Sequence, residues 1–144
     1  MYICKYPRLQ QVNIVMEDQK ITEYSDFLSL SIVPGMPSLD SKTQEKLVAK
    51  LGHGWALVNH HHLQKFYKCK HFSQAVDALC AIREVTQKMP HHPDVNIEVF
   101  GELMIKIYTH RINDLTINDF VLAAHINEGL KDFDVPQGYS VRNE

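Results

Sequence analysis

His91-His92-Pro93-Asp94-Val95-Asn96-Ile97-Glu98-Val99-Phe100-Gly101-Glu102-Leu103-Met104-Ile105-Lys106-Ile107-Tyr108-Thr109-His110 is the run whose reading decides the fold. Val95–Phe100 and Leu103–Tyr108 read as a pair of strands. Side chains alternate across a strand, so Leu103, Ile105 and Ile107 share one face. Met104, Lys106 and Tyr108 share the other, and His110 is in phase with them.

Upstream, Phe72, Val76, Leu79, Ile82, Val85 and Met89 recur near helical spacing, which predicts a helix over residues 73–89. Pro90 ends it, because proline disfavours helix at the residue before it. Trp55–Val58 and Leu63–Tyr67 predict an earlier hairpin, with His60, His61 and His62 in its turn. Residues 41–51 predict a helix, with Ser41 and Gln44 at capping-box spacing and Gly52 as a stop. Downstream, Thr116 is the expected cap of a last helix running to about Leu130. Asp119 stands at its third position, and Leu115 and Phe120 can staple across the cap. Gly129 and Pro136 mark its decay. Helix, two strands, helix, two strands, helix implies an α+β, two-layer domain: a four-stranded antiparallel sheet with helices on one face.

Pro34-Gly35-Met36-Pro37 is loop chemistry, so residues 1–38 are expected to be an N-terminal extension and residues 39–144 the domain. Val12–Met16 reads as a short strand. The first 16 residues carry Lys5 and Arg8 and no acid, a weak targeting hint, but Glu17 and Asp18 follow at once.

A chain of 144 residues with 44% hydrophobic and 22% charged residues has room for one globular domain. A formal charge of −2 argues against non-specific nucleic-acid binding. No apolar run approaches the roughly 20 residues that span a bilayer. Cys4, Cys69 and Cys80 are odd in number and lack C-x-x-C spacing, which suits a reducing compartment, and a cytoplasmic protein is expected. Nine histidines are the unusual feature, most of them clustered.

Three histidines and a carboxylate fall at the ends of different elements. His91 and His92 follow a helix, His110 ends a strand and Asp119 opens a helix. Such placement is how small folds build sites. His91-His92-Pro93, an intervening strand pair, Thr109-His110, and Leu115-Thr116 followed by Asp119 resemble the signature of the pterin-4a-carbinolamine dehydratase family. Gly54-Trp55, the apolar helix after Phe72 and Leu39 before the first helix match as well. The resemblance thus runs from about Leu39 to Leu130.

The resemblance implies dehydration of 4a-hydroxytetrahydropterin (biopterin in the family's usual substrate) to quinonoid dihydropterin. It implies a homodimer or homotetramer, with no cofactor, no metal, and no direct nucleic-acid or membrane partner. The chemistry suits imidazole, which titrates near working pH and can donate or accept a proton. By resemblance His91, His92 and His110 are the functional histidines. His92 is assigned the acid–base work on the elimination, with His91 and His110 as partners in proton transfer and pterin contact. Asp119 orients a histidine or fixes its tautomer. Trp55, Gln87, Pro93 and Thr109 are the expected substrate contacts.

Four positions depart from the family pattern. Gln87 stands where an acid is frequent, Pro90 where animal members have Asp or Asn, and Asn118 where they have a basic residue. The connection from Pro93 to His110 is one residue longer. Gln87 keeps open an alternative: a catalytically weak member serving as a binding, dimerisation or assembly cofactor. The three retained histidines favour the enzyme. A zinc site on the same histidines is a further alternative, though adjacent histidines bind one metal less readily than spaced ones. Bland readings exist for single residues. Asp119 is explained by capping alone, Trp55 by core packing, and His60–His62 by a solvated turn without zinc-like partners.

Overall fold

The computed structural model describes residues 21–98 and 101–131. In chain order the elements are α1 (Tyr24–Ser29), α2 (Ser41–Leu51), β1 (Ala56–Val58), β2 (His62–Lys68), α3 (Phe72–Gln87), β3 (Asp94–Ile97), β4 (Glu102–Ile107) and α4 (Ile117–Leu130). The strands form one antiparallel sheet in the order β1-β2-β4-β3. This is the expected α+β architecture.

The two central strands carry the inward apolar face. Leu103, Ile105 and Ile107 of β4 are fully buried, as their alternation predicts. They pair with Tyr67, Lys65 and Leu63 of β2. Because the side-chain period is two, this register also sends Lys65 into the core, and only 3% of it is exposed. Gly101, between β3 and β4, has φ +81°, and a Cβ there would lie 2.8 Å from the His71 carbonyl group. Only glycine fits that approach.

Helix α4 is buried almost all round, from Ile117 to Ala124 without a break. Such a helix must be covered on every side. Part of the cover comes from the segment before α2. Phe27 stacks on Phe120 with ring centroids 6.4 Å apart, and the Tyr24 hydroxyl donates to the Ala124 carbonyl at 3.1 Å. The Asn118 amide clamps Val33, accepting its N–H at 3.1 Å and donating to its carbonyl at 2.8 Å. Residues 21–38 therefore pack into the same core as the elements that follow.

Several boundaries differ from expectation. The cap of α2 is Asp40, not Ser41. Its carboxylate accepts from the Thr43 N–H at 2.8 Å, while Gln44 donates from its side chain to the Leu39 carbonyl. Helix α3 starts one residue earlier, at Phe72, and stops at Gln87, before Pro90 acts. His62 belongs to β2 and is paired with Val58, so only His60 and His61 of the triplet are in the turn. Val12–Met16, Cys4, Pro136 and the last two residues of Val95–Phe100 lie outside the described residues. None of the described helices is long and apolar enough to cross a membrane.

Candidate active site

The site is built on the first turn of α4. Thr116 and Asp119 form the expected capping box, each side chain accepting the other's backbone N–H. Asp119 Oδ2 accepts from the Thr116 N–H at 2.8 Å and from the Thr109 hydroxyl at 2.9 Å. The Thr109 hydrogen is thereby used, so in the 3.1 Å contact between the two threonines Thr116 is the donor. The carboxylate of Asp119 is fully buried, satisfied on one oxygen by these two donors and favoured by the positive end of α4.

Its other oxygen faces His91. Nε2 of His91 lies 2.5 Å from Asp119 Oδ1, and the imidazole side chain is 13% exposed. A carboxylate offers only acceptors, so His91 donates from Nε2. When the ring is neutral, Nδ1 is then its free acceptor. This second-partner arrangement fixes both the tautomer and the plane of the ring. His92 follows directly and is exposed, and among the described residues it has no hydrogen-bond partner. Half-buried Pro93 leads the chain into β3.

A second pair stands beside the first. His110 Nε2 lies 3.0 and 3.1 Å from the two oxygens of Asp94, and both side chains are about half exposed. His110 follows Thr109 in the chain, and Asp94 comes three residues after His91, so the two pairs are linked at both ends. The turn that carries His110 is closed by the Thr109–Asp114 bridge. The arrangement offers a fixed imidazole, an exposed one next to it in the chain, and a third paired with Asp94. Together they can give and take protons around one small ligand.

The family model described as "Pterin 4 alpha carbinolamine dehydratase" matches residues 37–129. This chain belongs to the pterin-4a-carbinolamine dehydratase family. The family is one of hydro-lyases. A Rickettsia canadensis protein provisionally named a pterin-4-alpha-carbinolamine dehydratase is 41% identical over 92 residues, covering 64% of this chain and 84% of that protein. "Pterin-4-alpha-carbinolamine dehydratase 2, mitochondrial" of Arabidopsis thaliana is 32% identical over 94 residues, covering 63% of this chain and 50% of that one. The crystal structure of a transcriptional coactivator/pterin dehydratase from Brucella melitensis shares the fold with a TM-score of 0.57 at 22% identity, over 65% of this chain and 98% of that one.

Within this dehydratase family member, His91, Asp119 and Thr109 are brought into direct contact, and His92, Pro93 and His110 adjoin them. Gln87 is the exposed last residue of α3, with no side-chain partner among the described residues. Trp55 is not brought to the group. Its indole N–H donates to Asn127 Oδ1 at 2.8 Å, inside the core. Asn127 lies eight residues beyond Asp119, which is about 12 Å along the axis of α4. The Lys65 ammonium donates to the same oxygen at 3.1 Å and sits over the Trp55 and Tyr67 rings. Burial lowers the Lys65 pKa to about 8.

Sequence reasoning missed Asp94 as the partner of His110, although it directly follows His91-His92-Pro93. It also missed Lys65 and Asn127, for which no local signal exists. The three candidate histidines do not converge as a metal set. Among the described residues no three of His, Cys, Asp and Glu do so. The histidine triplet departs from the expected solvated turn. His60 is exposed, but His61 and His62 are partly buried, with their Nδ1 atoms 3.0 Å apart.

Proposed function

We propose that this protein dehydrates 4a-hydroxytetrahydropterin to quinonoid dihydropterin, as a step in recycling the pterin cofactor of aromatic amino-acid hydroxylases. In the reaction the C4a–O bond breaks and the oxygen leaves with an added proton as water. The neighbouring ring nitrogen, N5, gives up its proton, and its electron pair closes the C4a=N5 bond. One group must donate a proton and another must accept one, with no net redox change.

The observation that carries this reading is the buried Asp119 holding His91 in a single orientation beside an unengaged His92. His92 serves as the acid–base group at the departing hydroxyl. His91, with Nδ1 free, serves as its partner at the ring nitrogen, and His110 contacts the pterin from the outer side. Thr109 and Asp119 position His91. Gln87 and Pro93 lie on the same loop side and bound the pterin edge. Residues 39–131 carry the site, and residues 1–38 are an N-terminal extension whose part from residue 21 packs into the same core. The working form is a homodimer or homotetramer, and the cytoplasm suits the unpaired Cys69 and Cys80.

The test is the dehydration of freshly generated 4a-hydroxytetrahydropterin, followed by ultraviolet absorbance. Wild type should exceed the spontaneous rate, and His92→Ala should lose about 10²–10⁴-fold, the usual contribution of a positioned acid or base. A wild-type rate equal to background would overturn the reading and point to a binding role for this fold.

A further inference from the structure

The outer face of the sheet carries a row of rings of which the proposed chemistry uses only the first. It starts at His110, whose ring centroid is 4.1 Å from that of Tyr108. Tyr108 is 4.7 Å from His61, and His61 is 5.3 Å from His62 in an edge-to-face contact. The row is held from both ends. His61 Nε2 meets Asn113 Oδ1 at 2.9 Å, tying the β1–β2 turn to the turn that carries His110. Asn59 and His60 have φ of 52° and 51°, and this left-handed pair turns the chain so that His61 reaches across.

Beside the row stands a cation without a carboxylate. The Lys106 ammonium lies 5.2 Å from the Tyr108 ring centroid. Its cross-strand neighbours are Gln64 and Asp94, but the Asp94 carboxylate faces His110. Among the described residues no carboxylate pairs with Lys106, and none pairs with exposed Arg111 on the adjoining turn. The Tyr108 hydroxyl likewise has no partner among them.

Pterin geometry connects this patch to the site. C6 is bonded to N5, so the C6 substituent leaves the ring beside the atom that loses its proton. His91 and Asp119 are largely buried against the helix, whereas His110 is half exposed and its ring adjoins Tyr108, which in turn adjoins Lys106. Resting on the proposed dehydration, we infer that the Lys106 ammonium and the Tyr108 hydroxyl, beside the mutually hydrogen-bonded His61 and His62, form a subsite for an anionic C6 substituent, so that the substrate is a tetrahydropterin bearing a phosphate or carboxylate on that arm. A patch of unpaired donors and cations recognises such groups through charge-assisted hydrogen bonds.

Two measurements on the full chain test this. The first is binding of stable oxidised pterins, followed by quenching of their fluorescence: 6-methylpterin, 6-carboxypterin and 6-hydroxymethylpterin phosphate. The second is turnover of the matching 4a-hydroxytetrahydropterins. Wild type should bind at least one anionic pterin about tenfold more tightly than the methyl compound, and the better of the two names the anion. Lys106→Gln should bring the ratio to near one while leaving the methyl compound unaffected, and Tyr108→Phe should lower it part-way. Added salt should shrink the preference, since the patch is open to solvent. Equal binding of all three by wild type, or a preference that Lys106→Gln leaves intact, overturns the subsite whether or not turnover is seen. An anionic preference lost in Lys106→Gln, with no turnover of any substrate, upholds the subsite and sinks the dehydratase reading alone.

Discussion

Two histidine–carboxylate pairs sit within a few residues of each other and live in different media. His91 and Asp119 are 13% and 0% exposed, with the carboxylate held by further donors. His110 and Asp94 are 50% and 47% exposed, and Asp94 accepts from no other side chain among the described residues. The chemistry of the two contacts is the same. In water two charges 4 Å apart attract by about 1 kcal/mol, and the attraction is several times larger at the lower effective dielectric of a partly buried site. The buried pair therefore sets an orientation, whereas the exposed pair can exchange its partner for a ligand. Burial, rather than residue type, divides the labour.

The largest effect should come from the buried pair. Asp119→Ala leaves the Thr116 N–H, the Thr109 hydroxyl and His91 without their acceptor, and removes one half of the α4 capping box. A loss of about 3–5 kcal/mol is expected in urea or guanidinium titration. Dehydration should fall with it, and in Asp119→Asn it should fall by more than stability does, because an amide can present an N–H to His91 and turn its tautomer. If Asp119→Ala and Asp94→Ala cost the same, burial is not what separates the pairs.

Lys65 sharpens the comparison, being a buried charge with no carboxylate partner among the described residues. Its pKa of about 8 in the fold lies below the ordinary lysine value of 10.5, because burial penalises the cation. Between those values the unfolded chain holds a proton that the folded chain has released. Stability therefore rises with pH through this window and is lower below it. A gain of about 2 kcal/mol is expected from pH 8 to pH 10 in denaturant titrations, and Lys65→Met should flatten the curve. Above pH 10 the Tyr67 phenol, raised by its own burial, acts with the opposite sign, so the comparison stops there. A flat wild-type profile would mean that Asn127 and the two rings stabilise the ammonium as well as water does.

The smallest effect belongs to the exposed pair. Asp94→Asn should cost less than about 1 kcal/mol of stability, the usual range for surface pairs. Its mark should be a changed KM for the pterin with kcat nearly kept, since His110 is proposed to contact substrate. A stability loss matching that of Asp119→Ala would show that the outer pair is structural.

The parts of this molecule legible in its sequence are those whose cause lies within a few residues. The Thr116–Asp119 capping box spans one helical turn, and both of its hydrogen bonds form. The alternation of Leu103, Ile105 and Ile107 needs only the two-residue period of a strand, and all three are buried. Element ends were read less well. Asp40 outcompetes Ser41 as a cap because its carboxylate reaches the Thr43 N–H, and α3 stops short of Pro90. The histidines could be singled out in the sequence, but their partners could not. Asp119 is 28 positions from His91, and the capping role that explains it locally gives no sign of the second oxygen's use.

Sequence by itself thus determined the order of helices and strands, the inward face of β4 and the first turn of α4, because hydrophobic period and capping act between near neighbours. Tertiary structure alone decided that β2 and β4 lie side by side at the centre, that Lys65 falls on the core face, and that Asn118 clamps Val33. It alone separated a buried histidine pair from an exposed one. Each of these depends on which distant surfaces exclude water together, and no local pattern encodes that.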